Sequence, residues 1–94
     1  MTGRDEATGP TELGAPPPRV VLYTKPGCHL CDEARAVVTR VCGEVGEDFD
    51  EVDISTSADL MARYGEEIPV TFVDGVQHDY WRVDADRLRD ALRG

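Results

Sequence analysis

The chain has little that would take it to a membrane, to nucleic acid or out of the cell. No stretch approaches the roughly 18 consecutive apolar residues that a membrane span needs. The first residues, Met1-Thr2-Gly3-Arg4-Asp5-Glu6, carry early acids and no apolar run, so they do not read as a secretory signal. Basic residues are few: 10 Lys and Arg stand against 19 Asp and Glu, for a net charge of −9. A phosphate backbone as the main partner needs a basic face, so nucleic acid is excluded on that ground. The same balance works against anionic small molecules at long range, where local positive charge would have to override it. Cysteine is limited to three positions. These features predict a cytoplasmic chain, where structural disulfides are rare. Three cysteines there point to catalysis, metal binding or simple burial rather than to staples. Internal repeats are absent as well.

What is present suits one domain. Ninety-four residues allow a single modest core, and 40% hydrophobic with 31% charged residues is ordinary for a globular chain. Residues 1–18 read as a disordered Pro/Gly-rich leader, with Leu13 its one large aliphatic residue and Pro16-Pro17-Pro18 closing it. Residues 19–94 read as the folded domain. Within it Val20-Val21-Leu22-Tyr23 is a continuous apolar run, as in a central strand covered on both faces. Apolar residues at 30, 34, 37, 38 and 41 predict a helix over Leu30–Val41, with Gly43 as its stop. Phe49–Ile54 is a weaker strand with interleaved acids, as at a sheet edge. Ser55-Thr56-Ser57 offers helix caps for a short face of Leu60, Met61 and Tyr64, ended by Gly65. Val70-Thr71-Phe72-Val73 is a strand, Asp74-Gly75 a hairpin turn, and Val76–His78 the returning strand. Asp84 caps a last helix bearing Ala85, Leu88, Ala91 and Leu92, with Val83 and Leu88 at staple positions. The order β-α-β-α-β-β-α predicts an α/β fold: a four-stranded mixed sheet flanked by three helices, with a right-handed first crossover.

The chemistry concentrates in Tyr23-Thr24-Lys25-Pro26-Gly27-Cys28-His29-Leu30-Cys31. Pro26 and Gly27 end the strand and turn the chain, which puts Cys28 at or just before the first helical turn. The unpaired N–H groups and positive dipole end there favour thiolate over thiol. Cys31 lies one turn later, where Cβ atoms three residues apart are about 5–6 Å from each other, so a disulfide can close. Cys28 at the exposed end would attack, and Cys31, turned inward, would resolve. Lys25, and His29 when protonated, would add positive charge, while Asp32 and Glu33 oppose it. The pair has two other readings: small buried apolar residues, or part of a metal or iron–sulfur site. The latter needs about four ligands, and only the scattered His29, Cys42 and His78 remain. No metal ligand is assigned. Cys42 stands about 16 Å along the helix from Cys31, beyond disulfide reach, and reads as a half-buried helix-end cysteine. His78 reads as a solvent-facing strand residue. Tyr80 and Trp81 either line a docking surface or pack at the sheet end. Arg87, Arg89 and Arg93 form the wet side of the last helix.

Lys25-Pro26-Gly27-Cys28-His29-Leu30-Cys31 and Ile68-Pro69-Val70-Thr71-Phe72-Val73-Asp74-Gly75, in that order around this frame, resemble the thioredoxin superfamily, and its small glutaredoxin-like redoxins in particular. The resemblance covers about residues 19–92. It implies a thioredoxin-like fold, a cis Ile68–Pro69 bond against the cysteines, and an outward Ile68 backbone free to pair with a substrate strand. The Lys25 to Cys28 spacing is similar to that of glutaredoxins, whose lysine helps hold glutathione. The Gly-Gly element that usually follows the hairpin there is replaced by Asp79-Tyr80-Trp81-Arg82-Val83-Asp84. Asp84 stands where the family acid would, and reads first as a helix cap.

The expected function is a dithiol–disulfide oxidoreductase acting on protein or small-molecule disulfides, with Cys28 and Cys31 catalytic and Lys25, His29, Ile68 and Pro69 on the substrate. No tightly bound cofactor is expected. Glutathione is a candidate co-substrate, and glutathione or a thioredoxin reductase a candidate donor, for a monomer without nucleic-acid or membrane partners. Metal or iron–sulfur binding and a redox-sensing partner module are the alternatives.

Overall fold

The computed structural model describes residues 18–93; the leader expected over 1–18 lies, apart from Pro18, outside the described residues. The elements run β1 (Val20–Thr24), α1 (His29–Val45), β2 (Phe49–Asp53), a 3-10 turn at Ile54–Thr56, α2 (Ala58–Tyr64), β3 (Val70–Val73), β4 (Val76–Tyr80) and α3 (Ala85–Arg93). The sheet order is β2-β1-β3-β4. β1 pairs parallel with β2 and antiparallel with β3, and β3 pairs antiparallel with β4. This is the mixed four-stranded sheet with three helices that the sequence predicts.

Each face of the sheet has its own apolar cluster, because alternate side chains on a strand point opposite ways. Val20 and Leu22 of β1 meet Ala34, Val38, Val41 and Cys42 of α1 and Leu88 and Leu92 of α3. The other cluster joins Ile54, Ile68 and Val70 with Tyr23, Val52, Leu60, Tyr64 and Phe72. Cys31, from the first turn of α1, belongs to this second cluster. Tyr23, Tyr64 and Phe72 pack edge-on or tilted there, with ring centroids 4.7 to 5.7 Å apart. The first turn of α1 thus contributes Cys31 to the cluster that holds Ile68.

Helix α1 is longer than its apolar spacing suggests. Gly43 lies inside it, and the stop is Gly46, left-handed at φ 76° with its N–H on the Cys42 carbonyl. Val45 packs against the core and holds the extra turn, and one exposed internal glycine costs less than that contact supplies. The two glycines therefore predict opposite mutational effects. Neither has an atom within 4 Å of an added Cβ, so backbone conformation alone decides. Gly43→Ala is expected to stabilise by about 0.5–1 kcal/mol, and Gly46→Ala to destabilise by about 1 kcal/mol or more. Urea unfolding of the two variants measures this, and equal signs would refute Gly46 as the cap.

β4 also runs further than expected, to Tyr80. Thr71 faces Asp79 while Phe72 faces Gln77, which leaves His78 as the extra residue of a bulge. A bulge re-aims side chains, and His78 is not solvent-facing: its side chain is 14% exposed. Its Nε2 is buried without a hydrogen-bond partner, 3.8 Å from Asp79 Oδ2. Cys42 likewise is fully buried within α1 rather than half-buried at its end. Asp84 does cap α3, accepting the Arg87 N–H at 3.0 Å.

Candidate active site

Cys28 occupies the N-cap of α1 with extended backbone, φ −105° and ψ 112°. Two local features put it there. Gly27 takes a φ of 75°, a left-handed turn that a side chain would resist, and Pro26 precedes it. The Cys28 carbonyl accepts the Asp32 N–H at 3.2 Å, and its Sγ accepts the Cys31 N–H, also at 3.2 Å. Sulfur thus does what a serine or aspartate oxygen does at other caps. The Cys28 side chain is partly exposed; that of Cys31 is 1% exposed. Both are free thiols in this structure.

Burial pushes the Cys31 thiol up to about 12, with the adjacent Cys28 sulfur adding to the rise. The Lys25 backbone N–H and the Arg35 charge act in the opposite direction. Cys42 is also raised, first by burial and then by Glu47 and Asp48. The two sulfurs at the turn are therefore unequal in access, and the inner one stays protonated at neutral pH.

Ile68 and Pro69 are buried, and the bond between them is cis. Ile68 shares the apolar cluster with Cys31, against which Cys28 also packs. The carbonyls of Glu67 and Pro69 both accept the Trp81 N–H, at 3.2 and 2.8 Å. This ties the segment before β3 to the end of β4. Trp81 has a φ of 62° and donates its ring N–H to the Glu66 carbonyl at 2.9 Å. Lys25 is half-buried on the turn and His29, the first residue of α1, is exposed. The turn thus holds Lys25, Cys28 and His29 together, while Cys28, Cys31 and Ile68 meet by packing.

A groove of about 200 Å³ adjoins the turn, lined by Leu30, Ala34 and Val37 of α1 and by Trp81, Arg82 and Val83. Glu33 and Arg82 bridge its two walls at 3.1 Å. Tyr80 and Trp81 stack edge-to-face at 5.1 Å and are each about half exposed, so they line the surface rather than fill the sheet end. Among the described residues no three His, Cys, Asp or Glu converge as a metal ion would require. No helix among them is long and apolar enough to cross a membrane.

Sequence reasoning passed over one neighbour of the thiols. Arg35, one turn after Cys31, grips Glu51 of β2 with two contacts of 2.7 and 2.6 Å and Asp32 with one of 2.8 Å. Glu51 also accepts from the buried Thr24 hydroxyl at 2.8 Å. The i, i+4 spacing of Cys31 and Arg35 is visible in the sequence; the register of β2 against β1, which sets Glu51 opposite Leu22, is not.

Residues 19–93 match the family described as "Glutaredoxin-like domain (DUF836)". The Mycobacterium tuberculosis protein Rv0508 is 35% identical over 77 residues, which are 77% of this chain and 79% of that one. The crystal structure of the X. campestris protein XcR50 superposes with a TM-score of 0.66 at 32% identity, covering 79% of this chain and 95% of the other. A glutaredoxin from Archaeoglobus fulgidus, at 17% identity and a TM-score of 0.56, covers 82% of this chain and 88% of its own and shares the fold. The chain belongs to the glutaredoxin-like domain family, with the thioredoxin-like fold of that superfamily.

Proposed function

We propose that the chain is a dithiol–disulfide oxidoreductase that reduces protein or small-molecule disulfides in the cytoplasm. The observation that carries this reading is the inequality of the two thiols: an accessible Cys28 sulfur capping a helix, and a buried Cys31 one turn behind it. Cys28, as thiolate, attacks one sulfur of a substrate disulfide. A Cys28–substrate disulfide forms, the substrate S–S bond breaks, and the leaving thiolate takes a proton from water. Cys31 then loses its proton and attacks Cys28 Sγ. The Cys28–Cys31 bond forms and the second substrate sulfur leaves and is protonated. Two electrons pass from the dithiol to the substrate.

Ile68 and Pro69 support an approaching substrate strand, and Lys25 and His29 add positive charge at the mouth of the site. The dithiol is restored by a low-molecular-weight thiol such as glutathione or by a thioredoxin reductase, with no tightly bound cofactor and the chain acting as a monomer. Reduction of insulin disulfides, with both donor systems supplied in parallel, tests the reading. Wild type is expected to accelerate the reaction and Cys28→Ser to return it to background. Background rates for both proteins in both systems would remove it.

A further inference from the structure

Trp81 adopts a backbone conformation that its own packing does not explain. Its φ of 62° is one of two positive values outside glycine among the described residues. The other belongs to Asp74, in the hairpin turn, which asks for such an angle. At Trp81 the Arg82 N–H reaches back to the Tyr80 carbonyl at 2.8 Å. A bond across three residues with a positive φ at the centre is the rare, strained form of that tight turn. Such a conformation persists only where the surroundings over-determine it. Burial does not do so here, since Trp81 is 52% exposed.

Hydrogen bonds do. The Trp81 N–H is shared between the Glu67 and Pro69 carbonyls, and the ring N–H goes to that of Glu66. All three acceptors belong to the segment that leads into β3, and they bracket Ile68. Glu67 is held from two further sides: its N–H donates to the Tyr64 carbonyl at 2.8 Å, and its carboxylate accepts from the Gln77 amide at 3.0 Å. Ile68 itself lies outside every helix and strand. Its own N–H and carbonyl have no hydrogen-bond partner among the described residues. The segment is thus fixed on both sides of one residue whose main chain the fold leaves unused. That residue shares an apolar cluster with Cys31, and Cys28 packs against the same cluster. Main-chain groups without a partner in the fold are those that an added strand can pair with.

We infer that Trp81 is a positioning residue for polypeptide substrates: by holding Glu66, Glu67 and Pro69 it presents the Ile68 main chain, beside Cys28, to an extended segment that carries the disulfide. The inference rests on the oxidoreductase reading and narrows its substrate to disulfides borne by an extended polypeptide. Trp81 takes no part in bond making. Cys28 attacks the cysteine sulfur of the held segment, the new disulfide forms as the old one breaks, and the other half of the substrate leaves as a thiolate. Trp81 sets how well the segment is held while that happens. A small disulfide that offers no main chain gains nothing from it.

Two probes with the same leaving group test this in a Cys31→Ser background, where only the first attack occurs. One is the symmetric aromatic disulfide of thionitrobenzoate. The other is an extended peptide whose single cysteine is in mixed disulfide with thionitrobenzoate. Trp81→Phe keeps a ring and loses the bond to Glu66. Trp81→Gly adopts the same φ freely and loses the side chain altogether. The looser segment should lower the peptide rate about threefold in Trp81→Phe and about tenfold in Trp81→Gly, with the small disulfide changed by less than about twofold. N-methylation of the peptide on either side of its cysteine should slow the parent chain by more than it slows Trp81→Gly, because both changes remove the same interaction. Urea unfolding confirms that each variant is folded under the assay conditions. Equal slowing of both disulfides, an unchanged peptide rate, or N-methylation that acts equally in the two chains would each overturn the inference. Background rates for the wild-type chain in the insulin assay would instead remove the oxidoreductase reading itself, whatever the Trp81 variants do.

Discussion

Iodoacetamide at about pH 7.5 is expected to alkylate Cys28 in the folded chain and to leave Cys31 and Cys42 untouched. Two effects multiply in that result. Cys31 and Cys42 are 1% and 2% exposed, so the reagent reaches their sulfurs only when the structure opens. The reactive species is also the thiolate. With the Cys31 thiol pushed up to about 12 by burial, fewer than about one molecule in ten thousand carries that thiolate at neutral pH. The expected rate ratio of Cys28 to Cys31 is therefore above about a thousand. Peptide mass spectrometry after a short pulse measures it, and in urea all three cysteines should react alike. Comparable labelling of Cys28 and Cys31 in the folded state would contradict the inequality on which the proposed mechanism stands.

Burial of the same thiol makes stability depend on pH. The ordinary thiol value is 9.0 and the folded Cys31 value about 12. Below the first, both folded and unfolded chains keep the proton, and the contribution is fully present. Between the two, the unfolded chain loses its proton while the folded one retains it. Stability then falls by about a factor of ten in the folding constant per pH unit. Cys31→Ser should remove that part of the alkaline decline, and the Cys28–Cys31 disulfide should remove it as well.

The parts of the fold legible in the sequence are those where one strong local signal had no rival. Val20-Val21-Leu22-Tyr23 has no polar position and had to be a strand covered on both sides. Asp74-Gly75 between two apolar runs could hardly be other than a hairpin, and Gly75 takes the left-handed φ of 82° that such a turn asks for. The turn that places Cys28 at a helix N-terminus was legible for the same reason, since Pro26 and Gly27 leave no other local solution. The features that differ from expectation are those decided by distant partners. Gly43 and Gly46 are equivalent locally, and only Val45 packing against the core selects the later stop. His78 looks like an ordinary alternating strand residue until the bulge against Thr71 and Phe72 turns it inward. Arg35 is one of several charged residues on α1, distinguished only once the register of β2 against β1 brings Glu51 within reach.

Leu88→Ala should cost about 2–5 kcal/mol, a large share of the roughly 5–15 kcal/mol that holds a domain of this size. Leu88 is fully buried where α3 meets α1 and β1, among Val20, Leu22, Val38 and Val41. Helix α3 has nine residues, fewer than the roughly 12–15 an isolated helix needs in water, so its helicity depends on this docking. Leu88 and Leu92, one turn apart, are its two buried residues. The Arg89–Glu44 pair at 2.8 Å adds little, because Glu44 is substantially exposed. A cavity at Leu88 should therefore loosen α3 before the rest of the chain. Hydrogen exchange would show this as lost protection over Ala85–Arg93 at small denaturant concentrations. The segment Trp81-Arg82-Val83, which walls the groove beside Leu30, runs directly into the α3 cap and should loosen with it. Cys31 and Ile68 belong to the other apolar cluster, so the selective alkylation of Cys28 should persist in Leu88→Ala wherever the chain remains folded. A loss below about 1 kcal/mol would mean that α3 is not part of the core. Simultaneous loss of the alkylation selectivity would mean that the two clusters act as one, and that the thiol pair depends on the far face of the sheet.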